Sequence, residues 1–153
     1  MESLSIVNTW HFECVRDGKV IWTREYQNLV PTAGLNKLLD ATFSTGLASP
    51  TWYVGLLATG PTFSMADTMG SHAGWTENTN FSASSRPAFV PGTIASGAVS
   101  NASSVAAFTM SAGTDVAGAF LTDSSTKGGS TGVLFAEGAF TQGTTTLLSA
   151  DLL

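Results

Sequence analysis

The stretch SIVNTWHFECVRDGKVIWTREY, residues 5–26, carries the pattern on which the prediction of the fold depends. Apolar and polar side chains alternate from residue 5 to residue 16 and again from residue 20 to residue 26. Period-two alternation of aromatic and β-branched residues is typical of a half-buried strand. Asp17-Gly18 lies between the two runs and is a strong signal for a tight turn. The stretch therefore predicts an antiparallel hairpin, whose first strand has on one face Trp10, Phe12 and Cys14.

One helix and several short strands are predicted after the hairpin. Thr32 can cap a helix that ends near Phe43, with a stripe at helical spacing formed by Leu35, Leu38, Leu39 and Phe43. Residues 51–57 are almost wholly apolar and predict a central strand. Turns of small polar residues separate further predicted strands at 88–90, 97–100, 106–111, 116–123, 132–138 and 144–152. The sequence thus predicts one domain, residues 1–153, with a mainly β fold: an antiparallel, jelly-roll-like β-sandwich with one short α-helix near residues 32–43.

Two segments stand out from this pattern. The connection from Ala58 to Arg86 is long for a compact domain, and connections of this length are usually functional or form interfaces. A helical turn is expected within it at residues 66–69. The chain also stays apolar to its last residues, although terminal residues are usually polar. The final leucines are therefore expected either to pair within the sheet or to dock on a neighbouring subunit: Leu147, Leu148, Leu152 and Leu153.

Composition and charge argue against several classes of protein. Hydrophobic residues make up 43% of the 153 residues and charged residues only 11%, against roughly 25% charged in an average globular protein. The net charge is −5 and the six basic residues are scattered, so neither nucleic-acid binding nor attraction to an anionic membrane has electrostatic support. The first residues lack the basic and apolar regions of a signal peptide, which predicts synthesis in a cytoplasm.

Few residues are candidates for catalysis. Asp67, His72 and Glu77 could gather a metal ion, but their spacing of five and five matches no common ligand pattern. A turn capped by Asp67 and hydrogen bonds from His72 are the simpler expectation. The other histidine, His11, is expected on a strand face, and the single cysteine, Cys14, in the apolar interior. Because a Ser-His-Asp triad is recognised by geometry alone, the sequence leaves it open, but the prediction is no enzyme, no cofactor and no metal ion.

Four tryptophans suggest a second class of function. Exposed aromatic rings on a β-sandwich can stack against sugars, so a carbohydrate-binding module is an alternative. The simpler expectation is that Trp10 and Trp22 form a cross-strand pair in the core of the hairpin. The four tryptophans are Trp10, Trp22, Trp52 and Trp75.

The segment Asp67–Glu77, DTMGSHAGWTE, resembles a block found in small virion proteins of tailed bacteriophages. The similarity continues through Phe81 and Arg86-Pro87-Ala88. The order of other short motifs along the chain is also similar, namely Asn28-Leu29-Val30, Gly34-Leu35-Asn36, Tyr53-Val54-Gly55-Leu56, Ser100-Asn101-Ala102-Ser103, Phe108-Thr109, Gly118-Ala119-Phe120-Leu121, Lys127-Gly128-Gly129 and Gly132-Val133-Leu134. The resemblance covers most of the chain after residue 25.

The resemblance implies a head decoration, or cement, protein, a class without catalytic residues. Such a protein would bind the major capsid protein and itself, as a dimer or trimer, on the exterior of the virion. A tail or head–tail adaptor component is the alternative within the same particle. The residues expected to order the connection or to form an interface are Asp67, His72, Trp75, Glu77 and Arg86, and Arg86 is expected to pair with Asp67 or Glu77.

Overall fold

The computed structural model describes residues 9–43, 50–95 and 99–153. In chain order, its elements are β1 Thr9–Arg16, β2 Lys19–Gln27, α1 Thr32–Phe43, β3 Trp52–Leu57, β4 Glu77–Asn78, β5 Ala88–Phe89, β6 Thr114–Val116, β7 Gly118–Thr122, β8 Leu134–Ala139 and β9 Thr145–Leu147. None of the helical residues described forms a segment long and apolar enough to cross a membrane.

The hairpin β1–β2 forms where the alternation predicted it. Asp17 and Gly18 have φ values of 49° and 72°, and two left-handed residues are what a two-residue hairpin turn requires. Phe12 and Cys14 are buried, whereas Glu13 between them and His11 before them are exposed. The predicted residues 5–8 lie outside the described part. The expected Trp10–Trp22 pair is wrong, because the register places Trp10 opposite Tyr26 and Trp22 opposite Cys14.

A five-stranded antiparallel sheet lies at the centre of the molecule. Its strand order is β4-β3-β7-β8, and β5 pairs with β3 beside β4. β3 has hydrogen-bonded neighbours on both sides and its last four residues are buried, which confirms the predicted central strand. A separate two-stranded ribbon is formed by β6 and β9.

Both faces of this sheet are covered. The hairpin packs on one face, where the Tyr26 ring lies over the bare Cα of Gly138 and its hydroxyl donates to the Ala119 carbonyl oxygen at 3.1 Å. The connection 58–86 covers the other face and contributes Met69 and Trp75 to a second apolar cluster. The predicted fold class is therefore confirmed: the protein is mainly β, with antiparallel sheets in a sandwich-like arrangement and one short helix.

The helix α1 has the predicted bounds, but the predicted apolar stripe is wrong. Leu39 and Phe43 are 45% and 79% exposed, and Leu35 is only partly buried. Gly34 is the buried residue of the helix, because its bare Cα lies directly against the backbone of Phe135. A side chain at that position would overlap with the Phe135 carbonyl, so the close approach of two backbones replaces the expected packing of leucines.

Several predicted strands of the second half are shorter or absent. Residues 106–111 form only isolated bridges, Phe81 to Met110 and Thr109 to Leu152, and residues 66–69 form tight turns rather than helix. The predicted strand 97–100 falls partly outside the described residues, and residues 99–100 are not strand. Predicted strand 116–123 is divided between β6 and β7.

The last residues pair within their own chain. Leu152 exchanges two backbone hydrogen bonds with Val15, at 2.7 and 2.9 Å, and Leu153 exchanges two with Phe108, at 2.8 and 2.9 Å. The side chains of Leu147 and Leu153 are buried. Of the two arrangements that the sequence left open, the structure thus has the intramolecular one.

Candidate functional site

The long connection is anchored by an ion pair between Arg86 and Glu77. The Arg86 side chain is 0% exposed and that of Glu77 is 8% exposed. Nε and Nη2 of the guanidinium donate to the two carboxylate oxygens at 2.9 and 2.7 Å. This is the bidentate geometry in which charge-assisted hydrogen bonds are strongest. Of the two partners considered for Arg86 on sequence grounds, the structure therefore has Glu77.

The same guanidinium also binds the turn that connects β7 to β8. Nη1 donates to the Ser124 carbonyl oxygen and Nη2 to that of Gly129, both at 2.9 Å. The Gly128 amide donates in turn to Glu77 at 2.9 Å. The guanidinium lies 5.1 Å from the centroid of the Phe120 ring. The buried charges are thus surrounded by partners, which a buried ion pair needs to offset the cost of its desolvation.

Lys127 fastens this turn to the end of the connection. Its ammonium donates to the carbonyl oxygens of Phe81 and Ala83 at 2.9 and 2.7 Å, and it lies 4.5 Å from the centroid of the Phe81 ring. Lys127 of the turn thus binds carbonyl oxygens of the connection, and Arg86 of the connection binds carbonyl oxygens of the turn. These reciprocal contacts hold in place a connection that has little regular secondary structure.

Trp75 links the connection to the sheet through a carboxyl group that the sequence analysis missed. The indole Nε1 donates to Glu137 Oε2 at 2.7 Å, and Glu137 is 1% exposed on β8. The pKa of Glu137 is raised to about 8, chiefly by burial and to a smaller extent by the nearby Asp67 carboxyl, while the hydrogen bond from Trp75 opposes the shift. Glu137 is therefore expected to be protonated at neutral pH. The signal for this residue was a lone acid inside an otherwise apolar strand.

His72 and Asp67 have the local roles that the sequence predicted for them. The imidazole of His72 stacks on the Trp75 ring, with centroids 3.6 Å apart, and its Nδ1 donates to the Trp75 carbonyl oxygen at 3.1 Å. Asp67 caps a turn by accepting the Ser64 amide at 2.9 Å. A cavity of about 250 Å³ lies beside them and is lined in part by His72, Trp75 and Glu77. The five candidate residues thus lie along one connection, but Asp67 and Glu77 serve different partners.

The chemistry open to these groups is limited by those partners. Glu77 is neutralised by Arg86, and His72 uses one ring nitrogen in the turn. Within residues 9–43, 50–95 and 99–153, no three His, Cys, Asp or Glu side chains lie close enough together to hold a metal ion. The network is therefore suited to holding the connection in place.

A second feature is a groove of about 1000 Å³ between the hairpin and the five-stranded sheet. Half-buried Trp10 and Trp52 form part of its walls, and strongly exposed Ile94 and Val105 form part of its rim. The ionisable side chains of its lining are His11 and Glu13. Sequence reasoning missed this groove, because parts of the chain that border it were predicted as short strands of the sheet, at 88–90, 97–100 and 106–111.

Three comparisons with known proteins place the chain in no family. No family model matches the sequence, and neither the curated proteins nor the solved structures contain a significant match to it.

Proposed function

We propose that this chain is a non-enzymatic structural protein of a tailed-phage particle, which binds the major capsid protein on the exterior of the head and stabilises the shell. The resemblance of the segment from Asp67 to Ala88 supports the phage particle as the setting. The groove beside the hairpin supports a role in assembly. The self-association expected of such a protein belongs to the same proposal.

The observation that carries the proposal is the apolar rim of this groove. Ile94, Val99 and Val105 are 77%, 47% and 68% exposed, and all three border the groove. Large exposed apolar side chains gathered in one place mark sites of interaction. The small number of charges nearby favours a surface that is covered by a partner, because few ions have to be desolvated.

The buried network of the connection fits the same role. Its charged groups are turned inward and paired, so this part of the molecule is a rigid support on the side of the sheet opposite the hairpin. A decoration protein does not need one strong contact, because repeated contacts on a symmetric shell add through avidity. A stiff subunit limits the entropy lost at each contact.

Capsids that lack the protein provide the test. Purified wild-type chain is mixed with them, and binding is measured by co-sedimentation, together with the temperature at which the shells rupture. We expect wild-type protein to bind and to raise this temperature. Val105→Glu places a charge on the rim and is expected to weaken binding by about tenfold or more.

The matched control is Thr144→Glu, which adds the same charge at an exposed residue outside the groove lining. It is expected to bind as the wild type does. Failure of wild-type protein to bind any surface of the particle would contradict the proposal. Binding to the tail or to the head–tail junction would favour the adaptor alternative over head decoration.

Carbohydrate binding is the second candidate, and one observation favours it. Trp10 and Trp52 are half-buried in the groove, near the polar side chains of Ser100 and Asn101. Aromatic faces with polar neighbours can hold a sugar. Titration of the chain with oligosaccharides, followed by tryptophan fluorescence, separates the two: saturable binding would support the module, and an unchanged spectrum would remove it.

A further inference from the structure

We propose that the groove receives one extended β-strand donated by a different protein subunit. The strand pairs with the open edge of β1 and places alternate apolar side chains between the hairpin and the sheet. This inference deepens the proposed function by stating what the partner contributes, and it rests on that function only in requiring a partner subunit.

The backbone of β1 supplies the first argument. β1 pairs with β2 on one side, and on the other side Val15 exchanges two hydrogen bonds with Leu152. In an antiparallel strand, backbone groups of every second residue point to the same side. Those of Glu13, His11 and Thr9 therefore point in the same direction as those of Val15.

No described backbone group pairs with these three residues on that side. Their amides and carbonyls form an open strand edge, and such an edge is a template for a further strand. Leu152 already pairs with Val15 on this edge of β1. An added strand would continue this pairing from Glu13 towards Thr9.

The position of the groove supplies the second argument. Thr9, His11 and Glu13 themselves line it, so the open edge runs along the cavity. The facing wall is the apolar face of the sheet, with Trp52, Val54, Leu121 and Phe135. A strand placed on the edge alternates its side chains between the two faces of the hairpin, so every second side chain enters this apolar space. Recognition by strand addition has this combination of backbone pairing and side-chain pockets.

Charge decides which kind of strand fits. Glu13 and Glu25 lie on the exposed face of the hairpin on either side of His11, at 3.4 and 3.0 Å from its ring nitrogens. The described lining of the groove contains no lysine or arginine. A donated strand with a basic residue near Glu13 would be attracted, whereas a second copy paired through this edge would bring the same carboxylates, Glu13 and Glu25, and the chain carries a net charge of −5. The donor is therefore a different subunit.

Peptides test the inference in solution, without a particle. The probe is a capped peptide of alternating threonine and valine with one central lysine, and its match carries glutamate in place of the lysine. Binding to the full chain is measured by tryptophan fluorescence and by hydrogen exchange of single amides. We expect the lysine peptide to bind, to protect the amides of Thr9, His11 and Glu13, and to bind about five- to tenfold more tightly than the glutamate peptide.

His11→Pro removes one edge amide without removing a bond to β2, because this amide faces away from β2. We expect it to weaken binding of the lysine peptide by about tenfold, and His11→Ala, which keeps the amide, to change it less than about threefold. Circular dichroism establishes that both variants are folded. Glu13→Lys leaves the backbone intact and provides a second route, since it is expected to reverse the preference to the glutamate peptide.

Absence of peptide binding, or binding that leaves the three edge amides unprotected, would overturn the inference. So would equal binding to His11→Pro and His11→Ala, or dimerisation of the free chain through this edge. If His11→Pro still bound capsids as the wild type does, the donated strand would be rejected and the decoration role would stand. If the chain bound the peptide but no phage particle, the decoration role would be rejected and the strand-binding groove would stand.

Discussion

Replacement of Arg86 by methionine is expected to lower the free energy of unfolding by about 3–5 kcal/mol. The guanidinium is fully buried and makes four hydrogen bonds, two to Glu77 and two to backbone carbonyls. Methionine fills much of the space but leaves the Glu77 carboxylate, which is 8% exposed, with the Gly128 amide as its remaining partner. The two carbonyls also lose their donor, at about 1 kcal/mol or more each.

Urea denaturation at pH 7, followed by tryptophan fluorescence, measures this loss. Arg24→Met is the control: half-buried Arg24 donates to the Thr23 carbonyl oxygen and lies 5.0 Å from the centroid of the Trp22 ring, without a buried ion pair, and the change is expected to cost no more than about 1 kcal/mol. The double variant Arg86→Met/Glu77→Gln should recover about 1–3 kcal/mol of the loss, because no unpaired charge is then buried. A loss below about 1 kcal/mol for Arg86→Met would refute the role given to this ion pair.

Three further predictions concern the groups around the sheet. The pKa of Glu137 is raised from 4.5 to about 8, so the folded chain keeps a proton that the unfolded chain releases, and wild-type stability falls by up to about 1.4 kcal/mol per pH unit as the pH rises between these values. Glu137→Gln should remove this slope, measured by urea denaturation at several pH values. An unchanged slope would contradict the assignment of the raised pKa to Glu137. Asp151 has a pKa lowered from 3.8 to about 2, chiefly by hydrogen bonding to Arg16. Asp151→Asn should therefore cost about 2 kcal/mol at pH 7, and the variant should lose less stability than the wild type as the pH falls from 3.8 to 2. An equal loss of stability in the two proteins over this pH range would refute the role given to Asp151. Trp75→Ala should cost about 3–5 kcal/mol and weaken particle binding, while half-exposed Trp22→Ala costs less; a folded Trp75→Ala chain with unchanged stability and binding would show that Trp75 does not order the connection.

The hairpin was predictable because its information is local. Alternation sets the two faces, and Asp17-Gly18 adopts the left-handed conformations that the turn requires. The Arg86–Glu77 pair was partly predictable, because an arginine at the end of a long connection, in a chain with few charges, is expected to pair with an acid of that connection. The sequence left Asp67 and Glu77 as candidate partners of Arg86, and only the fold shows that the partner is Glu77.

The parts that sequence missed depend on contacts distant in the chain. Gly34 is buried because the backbone of Phe135 comes against it, and no helical periodicity contains that information. Residues 109 and 110 bridge to Leu152 and Phe81 instead of forming the predicted strand. The groove has the same origin, since it lies between the hairpin and a sheet whose strands come from distant parts of the chain.

The assembly role is tested most directly by electron microscopy of native phage particles, with the chain located by fitting its hairpin and five-stranded sheet into the density. The proposed function predicts density for this chain on the outside of the head, at repeated positions that touch the major capsid protein, with the groove beside β1 covered by the partner. A particle whose head, junction and tail all lack the chain would contradict the account, and a chain found in the particle with its groove open to solvent would contradict the donated strand.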